Sequence, residues 1–329
     1  MKAAQDWVFA RVVSTHLVTP TVQEFCIEPS GGALPYAPGA HLQMHILVNG
    51  KPQTRSYSLL GEPNGKSYRF AVKYLPEGRG GSVAMWRLSV GDQLEISAPL
   101  NHFPLDLTAP AYFIAAGGIG ITPLLWMAQR LKTHALASGV PIRMVYGART
   151  ADELAFLPLL RDCLGDALHT FVASDGQTVD YAAEIATLPE GTHLYTCGPV
   201  PMLETIKRAW FDAKRPVADL RFETFGSSGR LPTRAFDLRV PRHGLAITVP
   251  SCSSLLDELE LAGVPAIYDC RRGECGLCVM DVLAIDGEID HRDVFLSAEE
   301  KMHNKRICVC VSRAVGIITL ESAYRPEIA

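Results

Sequence analysis

Three cysteines crowded into nine residues constrain this chain more than anything else in it: Cys270-Arg271-Arg272-Gly273-Glu274-Cys275-Gly276-Leu277-Cys278. The spacing C-x4-C-x2-C, with a distant fourth thiol at Cys308 or Cys310, is the plant-type pattern for a [2Fe-2S] cluster. Gly273 and Gly276 suit such a loop, because glycine lets backbone amides turn toward a buried sulfide. Zinc ligands usually come as two short-spaced pairs rather than three thiols in one loop. A disulfide framework does not fit 9 cysteines spread over 329 residues. The iron–sulfur reading therefore stands well ahead of zinc, and zinc ahead of cysteines that merely fill a core.

A one-electron group needs a source or a sink, and the rest of the chain is long enough for about two more domains. Hydrophobic content of 48% and charged content of 20% describe well-filled globular cores. The formal charge of −4 excludes a general nucleic-acid binder. No apolar export segment follows Met1. The uncharged run from Ala109 to Ala128 holds Gly117, Gly118, Gly120 and Pro123, which fit a strand, tight turn and helix start better than a membrane span. The expectation is a soluble, cytoplasmic protein with reduced thiols and no membrane contact.

Three regions differ in pattern. The first has short alternating stretches at 7–13, 21–27, 41–47, 68–74 and 93–96, separated by turns such as Asn49-Gly50 and Pro63-Asn64-Gly65; this predicts an antiparallel sheet or barrel. The second alternates buried strands (112–116, 142–146, 193–196) with helical stretches (124–136, 152–160, 201–212), which predicts an α/β domain with a parallel sheet. Gly226 to Pro232 reads as a linker. A final segment of about 95 residues carries all the candidate cluster ligands, a normal size for a small domain.

In the middle region, Gly117-Gly118-Ile119-Gly120-Ile121-Thr122-Pro123 follows a predicted strand and opens a predicted helix, where backbone amides favour phosphate. It is not the G-x-G-x-x-G fingerprint, and alone it reads better as an unliganded turn. Cys197-Gly198-Pro199 and Tyr146-Gly147-Ala148-Arg149 raise the case. Each ends a further strand, and open α/β sheets bind ligands at their carboxyl edge. A small thiol before Gly-Pro lets a flat nicotinamide approach; a buried cysteine before a turn is the plainer account. Arg149 suits a dinucleotide's phosphates or ribose, or a solvated loop. Asp175 suits the adenosine ribose about as well as it suits a turn.

In the first region, alternation puts Arg55, Tyr57 and Leu59 on one face and Ser56 and Ser58 on the other. Tyr57 can lie against a flat ring, and Arg55 can pair with a phosphate. Gly78-Arg79-Gly80-Gly81-Ser82 offers amides, a guanidinium and a hydroxyl to a phosphate. Ala71-Val72-Lys73 offers backbone groups to a ring edge. Each taken singly is an ordinary strand or turn; together, beside nucleotide and iron–sulfur regions, they read as a flavin site.

These motifs, with Phe222-Glu223-Thr224-Phe225-Gly226, Asp290-His291-Arg292-Asp293 and Cys310-Val311-Ser312-Arg313-Ala314, resemble the phthalate dioxygenase reductase family, which includes vanillate O-demethylase reductases. The resemblance covers nearly the whole chain. It implies an antiparallel β-barrel FMN domain (1–107), an α/β parallel-sheet NAD domain (108–226), a linker (227–235) and a C-terminal α+β, β-grasp ferredoxin domain (236–329). It implies FMN, NADH and a [2Fe-2S] cluster. FMN would lie among Arg55, Ser56, Tyr57, Ser58, Ala71, Lys73, Gly80, Gly81, Ser82 and Phe225. NADH would lie among Gly117, Gly118, Gly120, Thr122, Arg149, Asp175, Cys197, Gly198 and Pro199, with Thr122, Cys197 and Phe225 near the reacting rings. The cluster ligands would be Cys270, Cys275, Cys278 and Cys310. The family's usual spacing counts to Cys308, but alignment on Cys-Val-Ser-Arg selects Cys310. On one strand the two thiols would face the same way.

A hydride donor gives two electrons together and such a cluster takes one, so a flavin belongs between them. The resemblance implies a terminal oxygenase as acceptor, of Rieske non-haem iron type, hydroxylating or demethylating its substrate. A cytochrome P450 or a small molecule is the alternative acceptor, and a non-enzymatic iron–sulfur sensor is a more distant reading.

Overall fold

The computed structural model describes residues 7–225, 229 and 231–322. Four residues of the expected linker, 226–228 and 230, lie outside the described residues. The chain separates into two compact units: residues to Leu47, 54–75 and 82–223 form the first, and residues 48–53, 76–81 and 224 onward form the second.

The first unit holds two sheets. Strands β1 (Trp7–Thr19), β2 (Val22–Pro29), β3 (His41–Val48), β4 (Lys51–Ser58), β5 (Tyr68–Lys73) and β6 (Gln93–Ser97) form an antiparallel sheet ordered β4-β3-β6-β1-β2-β5. Register shifts at Val12/Ser14 and Leu17/Thr19 bend the long β1, since an extra residue on one strand bends it. A bridge from Leu59 to Phe70 brings the far ends together, so the sheet curls into a barrel. A short helix, α1 (Gly81–Trp86), follows β5.

The second sheet is parallel, in the order β11-β10-β7-β8-β9. Its strands are β7 (Tyr112–Gly117), β8 (Ile142–Ala148), β9 (Leu168–Val172), β10 (His193–Cys197) and β11 (Leu220–Glu223), with α2 (Ile121–Ser138), α3 (Leu157–Leu164), α4 (Tyr181–Ala186) and α5 (Val200–Asp212) between them. All six residues of the central β7 are buried, as expected for a strand covered on both faces. Phe113, Ala115, Val145 and Leu194 pack with Tyr181, Ile185, Ile206 and Trp210 on one side.

One expected helix is displaced. Residues 152–160 are not one helix: a 3-10 turn spans Ala151–Glu153, Phe156 is left-handed (φ 60°), and α3 begins at Leu157. Pro158 explains the start, because proline lacks an amide hydrogen and is tolerated only in a helix's first turn.

The second unit is an α+β domain. Its sheet order is β13-β12-β16-β14-β15, built from β12 (Phe236–Val240), β13 (Leu245–Val249), β14 (Val279–Asp290), β15 (Arg306–Cys308) and β16 (Arg313–Glu321). Only β12 and β16 pair in parallel among these strands. Helices α6 (Leu255–Leu261) and α7 (Ala298–His303) each start at a capping box, Ser254 with Asp257 and Ser297 with Glu300; each box satisfies otherwise orphaned helix amides. Leu238, Leu255, Leu259, Ile307, Ile318 and Leu320 centre the core. The three-cysteine loop joins the region after α6 to β14.

Candidate functional site

In the second unit the loop 270–278 wraps inward around its sulfurs. Cys270, Cys278 and Cys310 are buried and Cys275 is partly open. The amides of Arg272 and Cys275 donate to Cys270 Sγ at 3.4 and 3.5 Å. Amides aimed at a sulfur are what a thiolate-bound cluster requires. Arg271, Gly273 and Gly276 all have positive φ (53°, 76° and 73°). Arg271 is held there by Asp257 at 3.0 Å, by Glu260, and by stacking over Tyr268 at 4.3 Å. A side chain at Gly273 would meet Val311 at 2.6 Å and the Asp293 backbone at 2.9 Å. Only glycine fits that close approach.

The two rival thiols are not equivalent. Cys308 ends β15, paired with Val279, whereas Cys310 lies in the turn beyond it. The expectation that both sit on one strand is thus corrected. Hydrogen bonds from Cys308 and then Cys310 push the Cys278 thiol down to about 3. Bonding to Cys278, followed by burial, pushes both partners up. Cys310 also feels Cys270 and the Gly273 backbone, while Cys308 feels Asp293. Among the described residues, no three His, Cys, Asp or Glu side chains converge on a single-ion position. The donor set is instead the thiols of the 270–278 loop with Cys308 and Cys310, which both bond Cys278, and an all-thiol set of this spacing fits an iron–sulfur cluster.

The same unit ties Thr224 to the loop. Its amide donates to Glu274 at 2.5 Å and its hydroxyl to the Arg272 carbonyl at 3.0 Å. Sequence reasoning missed these partners, because a threonine before an aromatic carries no local signal. Asp290, Arg292 and Arg313 are buried structural groups: Arg292 pairs with Asp290 at 2.7 Å, and Arg313 donates to the carbonyls of Arg234 and Pro250.

In the first unit the candidate nucleotide residues gather at one edge. Gly117, Cys197 and Glu223 end β7, β10 and β11; Arg149 follows β8, and Asp175 closes the 3-10 turn after β9. Chain order reverses between β7 and β10, so this is the switch point at which open α/β sheets take ligands. The glycines there serve close packing between turns. A Cβ on Gly120 would lie 2.3 Å from the Cys197 carbonyl oxygen, and one on Gly117 or Gly198 would strike Met202 at 2.7 or 2.9 Å. Gly118 instead needs its positive φ of 52°. Thr122 is buried and its hydroxyl donates to the Ile119 carbonyl at 3.0 Å. Tyr146, quoted in the sequence only as the start of the run ending in Arg149 and given no role there, braces the turn by donating to the carbonyls of Gly118 (3.2 Å) and Ala155 (3.3 Å). Arg149 and Asp175 are exposed, and the Asp175 carboxylate accepts from Ser174 at 3.0 Å.

On the barrel, β4 carries Arg55, Ser56, Tyr57 and Ser58. Tyr57 stacks on Phe70 at 5.4 Å, Arg55 donates to the Thr54 carbonyl at 2.8 Å, and Ser58 donates to the buried Glu223 at 3.3 Å. Ala71 is buried on β5, and the Lys73 ammonium pairs with Glu153 at 2.8 Å. The Lys73 ammonium is thus engaged by a carboxylate of the same unit. The Ser82 hydroxyl exchanges hydrogen bonds with Leu75 N and O at 3.0 and 3.2 Å. In the second unit, Gly80 has φ 81°, and a Cβ there would lie 2.7 Å from Val48. Phe225 is half-buried.

Residues 10–104 match the family model described as the oxidoreductase FAD-binding domain, and residues 239–315 match the 2Fe-2S iron-sulfur cluster binding domain. A phenoxybenzoate dioxygenase subunit beta from Ectopseudomonas oleovorans is 38% identical over 85% of this chain and 86% of its own length. The beta subunit of a heme-dependent oxidative N-demethylase from Ectopseudomonas mendocina is 35% identical over 93% and 96%. The solved structure of phthalate dioxygenase reductase superposes with a TM-score of 0.77 at 30% identity, covering 96% of this chain and 98% of that one. The chain belongs to the phthalate dioxygenase reductase family.

Its three domain types, in this order, make it an electron-transfer oxidoreductase that binds a flavin and a [2Fe-2S] cluster. The full-length CYP116B46 structure from Tepidiphilus thermophilus also contains this fold (TM-score 0.65, 32% identity, 95% of this chain), and the chain spans 42% of that protein's length. Among the described residues no helix is long and apolar enough to cross a membrane.

Proposed function

We propose that this chain is the NADH-dependent reductase component of a multicomponent oxygenase or O-demethylase, with FMN as its flavin and a Rieske-type non-haem iron oxygenase as its acceptor. The observation that carries the reading is the union, in one chain, of a flavin-domain match, a carboxyl-edge switch point and a cluster-domain match. A bound flavin would supply the two-to-one-electron chemistry that links a hydride donor to a [2Fe-2S] cluster.

The residues have distinct tasks. Tyr57 and Ala71 border the flavin ring, and Arg55, Gly80, Gly81 and Ser82 hold its phosphate, with Ser56, Ser58 and Lys73 lining the strands beside it. Gly117, Gly118, Gly120, Arg149, Asp175, Gly198 and Pro199 receive the dinucleotide; Thr122, Cys197 and Phe225 border the reacting rings. Cys270, Cys275, Cys278 and Cys310 ligate the cluster. Cys310 is favoured because its run Cys310-Val311-Ser312-Arg313 aligns with the family's, while Cys308, which also bonds Cys278, is the rival thiol. The free thiols such a cluster needs suit the reducing cytoplasm.

FMN is chosen on family resemblance, although the matched domain is named for FAD. Chromatography of acid-released flavin decides: FMN is expected, and FAD would replace it. Supplying the purified chain with NADH and a Rieske-type oxygenase component, and measuring product, tests the function. A second reading, a haem-containing acceptor, is favoured by the N-demethylase relative's name. Faster electron delivery to a haem protein than to any Rieske component would select it.

A further inference from the structure

The route out of the cluster is not marked by any motif, yet the second unit carries a candidate at its surface. Cys270, Cys278 and Cys310 are 3%, 3% and 4% exposed, whereas Cys275 is partly open. Electron tunnelling weakens steeply with the thickness of intervening protein, so an acceptor gains most by approaching on the Cys275 side. There the loop turns through Gly276 and presents Leu277, 52% exposed, beside Phe295, 47% exposed. The Phe295 ring lies edge-on against Gly276: a Cβ on that glycine would sit 2.3 Å from the ring carbons Cε2 and Cζ. The ring and the ligand loop are thus packed against each other.

Phe295 is also fixed from both sides. Val294 donates to the Gly273 carbonyl at 3.0 Å, and Leu296, itself buried, donates to Asp293 Oδ1 at 2.8 Å. Two large apolar groups held half-bare on an anchored loop lose little freedom when a partner covers them. Scattered exposed hydrophobics need no explanation, but this pair flanks Gly276, the residue that follows the partly open Cys275. A small soluble acceptor has no use for such a platform, whereas aromatic and apolar anchors at the centre of a contact are what protein partners use.

We propose that Leu277 and Phe295, flanking Gly276, form the docking surface for the oxygenase component, whose matching surface is apolar at its centre where its own metal centre comes nearest. This rests on the functional reading above and names where that partner binds. The test uses the holoprotein, NADH and two probes: the Rieske-type oxygenase component of a phthalate system, and ferricyanide as a small acceptor that needs no docking. Leu277→Lys and Phe295→Ala should each raise the KM for reductase in the oxygenase assay about fivefold or more, with the ferricyanide rate and the reduced-cluster EPR signal unchanged. Phe295→Tyr should stay near wild type. If both variants retain the wild-type KM, the docking surface is wrong. If Phe295→Ala alters the EPR signal, Leu277→Lys decides by itself. A wild-type protein that reduces ferricyanide but never drives the oxygenase would instead overturn the functional reading.

Discussion

Gly118 and Gly120 share one turn but exclude a side chain for different reasons, and replacing each with alanine separates the two. At Gly118 the backbone has φ 52° and nothing lies within 4 Å of an added Cβ. Gly118→Ala therefore costs only the left-handed penalty, about 1–2 kcal/mol. At Gly120 the φ is an ordinary −61°, but the added carbon would lie 2.3 Å from the Cys197 carbonyl oxygen, where ordinary contact begins at 3.4 Å. The β7 and β10 turns must part by the difference, about 1.1 Å. Overpacking of this kind costs about 1–3 kcal/mol, so the two variants should melt at similar temperatures. Their activities should not match. A displacement of about 1 Å at a reacting site can cost on the order of a hundredfold, so Gly120→Ala should lose roughly that in kcat/KM for NADH with ferricyanide as acceptor. Gly118→Ala should lose only a few-fold. Calorimetry with steady-state kinetics checks both. If Gly120→Ala is no worse than Gly118→Ala, then the packed turns do not position the nucleotide and the reasoning fails.

Cys310→Ala should lose the cluster's visible absorption while Cys308→Ala keeps it; the opposite result would reassign the fourth ligand. Arg55→Ala and Ser82→Ala should each lose flavin on gel filtration, and full flavin content in both would remove their assigned roles. Burial holds the His193 imidazole below its usual 6.5, opposed by Asp106 and Asp219 and reinforced by Arg221. A depressed folded value gives stability that is complete above 6.5 and lost as pH falls through the folded value. The melting temperature should therefore drop as pH is lowered from 6.5, and His193→Asn should flatten that slope.

The cysteine loop was legible because few structures put three thiols and two glycines in nine residues. The barrel and the central strands of the parallel sheet were legible from their periodicity, with ends that moved by a few residues. β9, β11 and α4 were not anticipated. Leu220–Glu223 is only four residues long and includes a charged Arg221, so periodicity has little to act on. The misplaced helix at 152–160 had a visible corrective in Pro158. The glycine turn was found, but its physical reason was incomplete. Gly117, Gly120 and Gly198 allow two turns to touch, a tertiary contact between residues about 80 apart. Tyr146 and Glu223, which brace the candidate sites from beneath, looked like ordinary strand residues. The choice between Cys308 and Cys310 depended on where β15 stops, and strand ends are what sequence patterns define least well.

In the proposed function, one chain accepts hydride electrons at a flavin and passes them to its own iron–sulfur cluster. Anaerobic titration of the cofactor-loaded protein with NADH, followed by visible absorption and EPR, tests it most directly. Bleaching of the flavin together with the EPR signal of a reduced [2Fe-2S] cluster is expected. Flavin bleaching with a cluster that stays oxidised, though dithionite reduces it, would rule out electron transfer from flavin to cluster within the chain.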